Sequence, residues 1–213
     1  MIYDISPPLS PRITVWPGDT PLTREVLLEI GRPLPSGKTV STITLSTLHA
    51  TAHLGAHADA PSHYGADAPP IDRRGLDYYL GPCQLLRVAV PQGASVTPDA
   101  IRTPITAPRV LIDTGTHPDP ECFPEDFAAL APALVTWLHE RGVRLVGIDT
   151  PSVDPFSSKE LPAHRTFLKH DMAILEGLLL KDVSEGIYEL IALPLRLVGF
   201  DASPVRAVLR TLP

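Results

Sequence analysis

Apolar and polar positions alternate over several short stretches of the chain and keep a helical period in only two places. The β-branched or alternating segments predict strands at Arg12–Trp16, Thr23–Ile30, Thr39–Leu48, Gln84–Val90, Arg109–Asp113, Val143–Asp149 and Ile187–Leu193. Leu134, Trp137 and Leu138 recur at helical spacing and Gly142 supplies a stop, which predicts a helix over Ala131–Arg141. That helix feeds directly into VRLVGIDT, an apolar run that reads as a buried strand. A shorter helix is expected over Ala163–His170. Strands dominate, so the pattern predicts a mixed α/β fold with a large β component.

Composition adds bounds to this picture. A chain of 213 residues suits one domain, residues 1–213, with a sizeable core. The 25 prolines are scattered at segment boundaries such as Pro7-Pro8, Pro17, Pro69-Pro70 and Pro151, a pattern of short elements with kinked connections rather than of a linker. Neither an internal repeat nor a low-complexity tract is present.

The formal charge of −6 comes without a Lys/Arg cluster that could follow a phosphate backbone, so nucleic acid is not an expected partner. The opening MIYDISPPLSP has no basic stretch followed by an apolar run, and no segment nears the roughly 20 apolar residues needed to span a bilayer. A cytoplasmic protein without membrane contact is the expectation. Cys83 and Cys122 are isolated, which predicts reduced thiols rather than a disulfide or a zinc ribbon.

Candidate chemistry is concentrated in one stretch. Of eight histidines, four (His49, His53, His57 and His63) fall between residues 49 and 63, three of them inside HLGAHADAPSHY. His53 and His57 are four apart, as on one face of a helix, but Gly55 and Pro61 oppose a regular helix through the motif. In a strand, the odd-numbered His53, His57, Asp59 and His63 would share one side. A straight strand would still hold the first two histidine Cα atoms about 13 Å apart. The chain must therefore bend, and Gly55 with Ala56 and Ala58 would let it fold over an ion. Two imidazoles and a carboxylate, His53, His57 and Asp59, suit zinc or manganese. His63, two residues after Pro61, is a candidate general acid/base that titrates near neutrality. His49 lies outside the cluster and is expected to be an ordinary surface or core histidine.

HLGAHADAPSHY resembles the H-x-G-[TA]-H-x-D-x-P-x-H signature of the cyclase-like metal-dependent amidohydrolases. MIYDISPPLS, VWPGDTP, LDYYLGPCQLLRV, RLVGIDTPSVDP and ILEGL are similar to the arylformamidase (kynurenine formamidase) branch of that family, so the likeness runs nearly from end to end. The histidine signature is specific for the superfamily and leaves isatin and other cyclic amides open. Only the flanking segments choose the formamidase branch. Ala56 stands where many members of the superfamily carry threonine.

The resemblance implies an α/β fold with a β-barrel-like central sheet flanked by helices (swivelling β/β/α), a homodimer, and two divalent ions per subunit, zinc with manganese as the alternative. It implies that His53, His57 and Asp59 bind the first ion, that Asp59 bridges to the second, and that His63 moves the proton. Glu176 would complete the second site with His164, for which His170 competes. Trp16 would contact substrate. An acid inside ILEGLLL is costly to bury unpaired, and ligation would remove that cost from Glu176. Asp149, Ser152 and Asp154, like Asp113, Thr114 and Thr116, are explained equally by a pocket floor and by strand-end turns.

The implied reaction is hydrolysis of N-formyl-L-kynurenine to L-kynurenine and formate, in tryptophan degradation through the kynurenine pathway. Trp16 or Tyr64 could stack on the substrate's aromatic ring. A serine hydrolase is disfavoured because no G-x-S-x-G is present.

Overall fold

The computed structural model describes all residues except 35, 36, 38 and 213. The strands of the first half are β1 (Ile2–Asp4), β2 (Thr23–Leu28), β3 (Leu45–His49), β4 (His57–Asp59), β5 (Leu80–Arg87), β6 (Ser95–Val96), β7 (Arg109–Asp113) and β8 (Ala129–Leu130). Helix α1 (Pro132–His139), strand β9 (Leu145–Ile148), helix α2 (Pro162–Lys169) and strand β10 (Ala173–Glu176) follow. Strands β11 (Gly186–Ile191), β12 (Ala202–Pro204) and β13 (Val208–Thr211) complete the set.

Nine strands form one curled sheet in the order β1-β13-β11-β5-β7-β9-β10-β4-β12. Its centre, β5-β7-β9-β10, is parallel, and the strands on both sides of that centre pair antiparallel. The α/β class and the barrel-like sheet with few helices are thus as the resemblance implied, with β1 and β12 as the two edges.

The parallel strands read as near-continuous apolar runs because both of their faces are covered. Val110, Ile112, Val146, Ile148 and Ile174 point to the helical side, where Leu134, Val135 and Leu138 of α1 and Phe167 of α2 pack on them. The alternate residues Leu111, Leu145 and Leu175 pack on the other side with Ile5, Tyr79, Leu190 and Leu209. Both helices begin on a proline, which has no amide hydrogen to waste at that position.

The strand expected at Arg12–Trp16 does not form. Ile13 is buried with Leu22 and Leu54 in a small separate cluster, against which Val15 packs. Thr14 is tied by its amide and its hydroxyl to the Pro120 carbonyl. Its β-branched residues serve packing rather than a ladder. The strand expected over Thr39–Leu48 is confined to Leu45–His49, where it pairs with β2 as a separate hairpin. The other expected strands and helices are found within a few residues of their predicted limits. Among the described residues, no helix is long and apolar enough to cross a membrane.

Candidate active site

Strand β4 is the foundation of the site. It lies between β10 and β12, with His57 opposite Glu176 on one side and Asp59 opposite Ala202 on the other. Glu176 is the last residue of β10, so it stands at the carboxyl end of the parallel strands. Open α/β sheets commonly bind ligands at that end.

The chain bends ahead of β4 as the histidine spacing required. Gly55 has φ +58, and a Cβ there would meet Leu9 Cδ2 at 2.7 Å, so only glycine fits the bend. The bend brings the rings of His53 and His57 to 5.0 Å. Gly177 (φ +66) continues the same close approach from the other strand. A Cβ at that position would lie 2.3 Å from the Gly55 carbonyl oxygen. A single helical turn over Pro61–His63 then returns His63 to within 4.4 Å of the His53 ring.

Asp59 is buried and divides the surrounding imidazoles between its two oxygens. Oδ1 faces His53 Nδ1 at 3.1 Å and His57 Nε2 at 3.5 Å, whereas Oδ2 faces His164 Nε2 at 3.2 Å. Glu176 makes the same division, with Oε2 3.2 Å from His57 Nε2 and Oε1 3.6 Å from His164 Nε2. Glu176 Oε1 also accepts a hydrogen bond from the Val153 amide at 2.7 Å.

His57 and His164 are each held through their other ring nitrogen. His57 Nδ1 donates to the Gly55 carbonyl at 2.9 Å. His164 Nδ1 donates to Asp154 Oδ2 at 2.7 Å, and the same carboxylate accepts the Ala163 and His164 amides at the start of α2. Asp154 therefore fixes both the backbone and the ring of His164, capping the helix as it does so.

These contacts set the charge states. Burial opposes charge on His164, but its hydrogen bonds to Asp154 and Asp59 prevail and push it up to about 10. His53 is likewise disfavoured by burial and raised by Asp59 and Asp201, to about 9. Asp59 is raised by burial, yet the hydrogen bond from His164 and the neighbouring His53 and His57 imidazoles hold it well below the usual carboxylate range. His63 is different: burial dominates and lowers it.

Whether these residues suit a metal can be tested on two atoms. His57 Nε2 and Asp59 Oδ1 are buried and lack any hydrogen-bond partner, although both belong to groups that seek one. His53 Nδ1 approaches Asp59 Oδ1 to 3.1 Å without forming a hydrogen bond. Donor atoms of His53, His57 and Asp59 lie within 4.8 Å of one another, and so do those of Asp59, His63 and His164. Imidazole and carboxylate are the donors of zinc and manganese sites, so the residues fit such an ion.

His53, His57, His63, His164 and Glu176 line a cavity of about 290 Å³ whose other walls are largely apolar. Trp16 forms one wall, its ring 5.0 Å from Phe156 and 5.6 Å from Phe123. Tyr64 is half-buried beside His164, with ring centroids 5.0 Å apart, and desolvation raises its hydroxyl well above the ordinary tyrosine range.

The structure thus brings together His53, His57, Asp59, His63, His164 and Glu176, with Trp16 in the wall of the same cavity. It does not bring in His170, which stacks on His139 and contacts Thr136 at the far end of α2. His49 lies across the hairpin from Glu25. The roles left undecided for Asp149 and Asp154 separate. Asp149 accepts the Thr114 and Gly115 amides as a strand-end turn, whereas Asp154 supports His164.

Sequence reasoning missed Asp201, whose Oδ2 is 3.1 Å from His53 Nε2 and 3.6 Å from His63 Nδ1. It directly precedes β12, and pairing of β12 with β4 delivers it. It also missed Phe123 and Phe156, for which no local signal exists.

Comparison with known proteins points the same way. The "Cyclase" family model matches residues 3–155. A kynurenine formamidase of Bordetella petrii is 46% identical to the chain, covering 99% of this chain and 98% of the relative. A solved structure described as a "predicted metal-dependent hydrolase" from Bacillus stearothermophilus is 28% identical with a TM-score of 0.79, covering 98% and 97% of the two chains. Isatin hydrolase A from Ralstonia solanacearum shares the fold at 21% identity and a TM-score of 0.78, covering 98% of this chain and 91% of that one.

Proposed function

The chain belongs to the cyclase family, and from that premise we propose that it is an amide hydrolase that converts N-formyl-L-kynurenine to L-kynurenine and formate. The observation that carries this reading is the placement of Asp59 and Glu176, each with one oxygen toward His57 and the other toward His164, beside an aromatic-walled cavity that Glu176, His57 and His164 line. Asp59, so placed, is suited to serve two ions, and Glu176 to complete the second site. We assign His53, His57 and Asp59 to the first ion and Asp59, His164 and Glu176 to the second, with zinc as the metal. Bound there, divalent ions would polarise the formyl carbonyl and acidify a water molecule.

The residues of the chain supply the rest. His63 lines the cavity, and burial lowers its ring below the ordinary histidine value, which favours the neutral form that can take a proton from the attacking water. The C–N bond then breaks as the same ring returns that proton to nitrogen, and the arylamine leaves neutral. Asp201 Oδ2, 3.6 Å from His63 Nδ1, steadies the ring in its charged state. Trp16 and Phe123, backed by Phe156, offer the aromatic wall against which an aryl ring packs while water is excluded.

Residues 1–213 act as one unit in this reading. A homodimer is supported by the β2–β3 hairpin, which exposes Val26, Leu27, Leu45 and Leu48. Free Cys83 and Cys122 suit the reducing cytoplasm. Kynurenine release from N-formyl-L-kynurenine by zinc-loaded protein, with a chelated sample as control, tests the reaction. Fast and chelator-sensitive turnover supports it, and a zinc-loaded protein inert toward this formamide refutes it.

A further inference from the structure

Residues 16–19 read W-P-G-D and form a tight turn in which the Asp19 amide donates to the Trp16 carbonyl at 2.9 Å. Pro17 presets the first central position, and Gly18 at φ +101 takes the second, a conformation that side chains resist. A turn of this kind holds its first and fourth residues close together. Trp16 and Asp19 both line the cavity, so one turn presents an aromatic face and a carboxylate side by side.

Asp19 is held in place. Its Oδ2 accepts a hydrogen bond from Thr51 Oγ1 at 3.2 Å, and that hydroxyl in turn accepts the His53 amide at 3.3 Å. The Thr51 amide donates to the Thr20 carbonyl at 3.0 Å, tying the turn to the metal-binding segment a second time. Asp19 Oδ1 has no hydrogen bond among the described residues.

The other ionisable groups of the lining are already engaged. Glu176 faces His57 and His164, and His117 directs one ring nitrogen to the Asp149 carbonyl and the other to that of Cys122. Asp19 is the acid of the cavity lining that lies outside the imidazole cluster.

We infer that Asp19 receives the α-ammonium group of the substrate while Trp16 packs on its ring, so that the turn selects aryl formamides bearing an aliphatic amine. This rests on the formamidase reading above. Asp19 is exposed to solvent, so a formamide with no ammonium leaves the carboxylate to water, and selectivity then depends on the aromatic wall alone.

The experiment compares kcat/KM for N-formyl-L-kynurenine with that for its analogue lacking the α-amino group, in the zinc-loaded wild type, Asp19→Asn and Asp19→Glu. Asparagine can keep the Thr51 hydrogen bond while removing the charge, and thermal unfolding checks that the variants fold. The wild type should prefer the amine-bearing substrate, Asp19→Asn should reduce that preference by about tenfold or more through KM, and Asp19→Glu should restore part of it. A preference that survives in Asp19→Asn, or rates that fall equally for both substrates, overturns the assignment while leaving the formamidase reading intact. A wild type inert toward both overturns that reading and the assignment with it.

Discussion

His57 Nε2 and Asp59 Oδ1 lie 3.5 Å apart, both buried and both without a hydrogen-bond partner. Buried polar atoms are rarely left so, because each costs roughly 1–3 kcal/mol. A cation between them would satisfy both. Asp59→Asn is therefore expected to lower metal content, measured by elemental analysis after dialysis, and to reduce turnover by more than about 100-fold.

His63 touches the cluster from its exposed side and carries no buried orphan atom. His63→Ala should retain the wild-type metal content and lose about 10²–10⁴-fold in kcat. Loss of metal in that variant would make His63 a ligand instead.

Asp154 reaches the site only through His164. Asp154→Asn keeps the shape but weakens the hold on the imidazole, so metal affinity should fall by about 10- to 100-fold, read from competition with a chromogenic chelator. The amide caps at Ala163 and His164 are also weakened, and the variant should melt somewhat below the wild type.

Without metal, His53 and His164 are raised to about 9 and about 10, so both are protonated at neutral pH and paired with carboxylates. An ion bound by His53 and His164 would have to displace those protons, so metal uptake near pH 7 should release them, detectable as acidification of a weakly buffered solution. The folded values lie above the 6.5 of unfolded histidine. The resulting stabilisation of the metal-free protein is complete below pH 6.5 and is lost as pH rises through 9 to 10. Melting temperatures with chelator should fall over that range, whereas those of the loaded protein should fall less.

The parts of the fold legible in the sequence were those decided locally. Arg109–Asp113 and the segment around Val146 are apolar on both faces, and few alternatives to a central strand exist for such runs. Strands β4, β10 and β12, of three or four residues each, were not legible, because pairing with neighbours distant in the chain makes them strands at all. The same division holds in the site. The histidine cluster stood out by crowding, whereas Glu176 was reached through the family resemblance, with its apolar surroundings in support. Asp201 is one acid among many until β12 sets it beside His53. Arg12–Trp16 misled for a related reason, since β-branched residues serve an irregular packed segment as well as a strand.

The position of β4 also governs the order in which the molecule can be built. The histidine-rich segment comes early in the chain, but the two strands that flank it, β10 and β12, come late. While the protein is being synthesised, residues 53–59 have no ladder to join, and their imidazoles remain in water as a loose set. Only when the last quarter of the chain arrives does the sheet close around them, a contact between distant segments that is slow to form. The finished arrangement of His53, His57, Asp59, His164 and Glu176 is thus withheld from the nascent protein until β10 and β12 have been made.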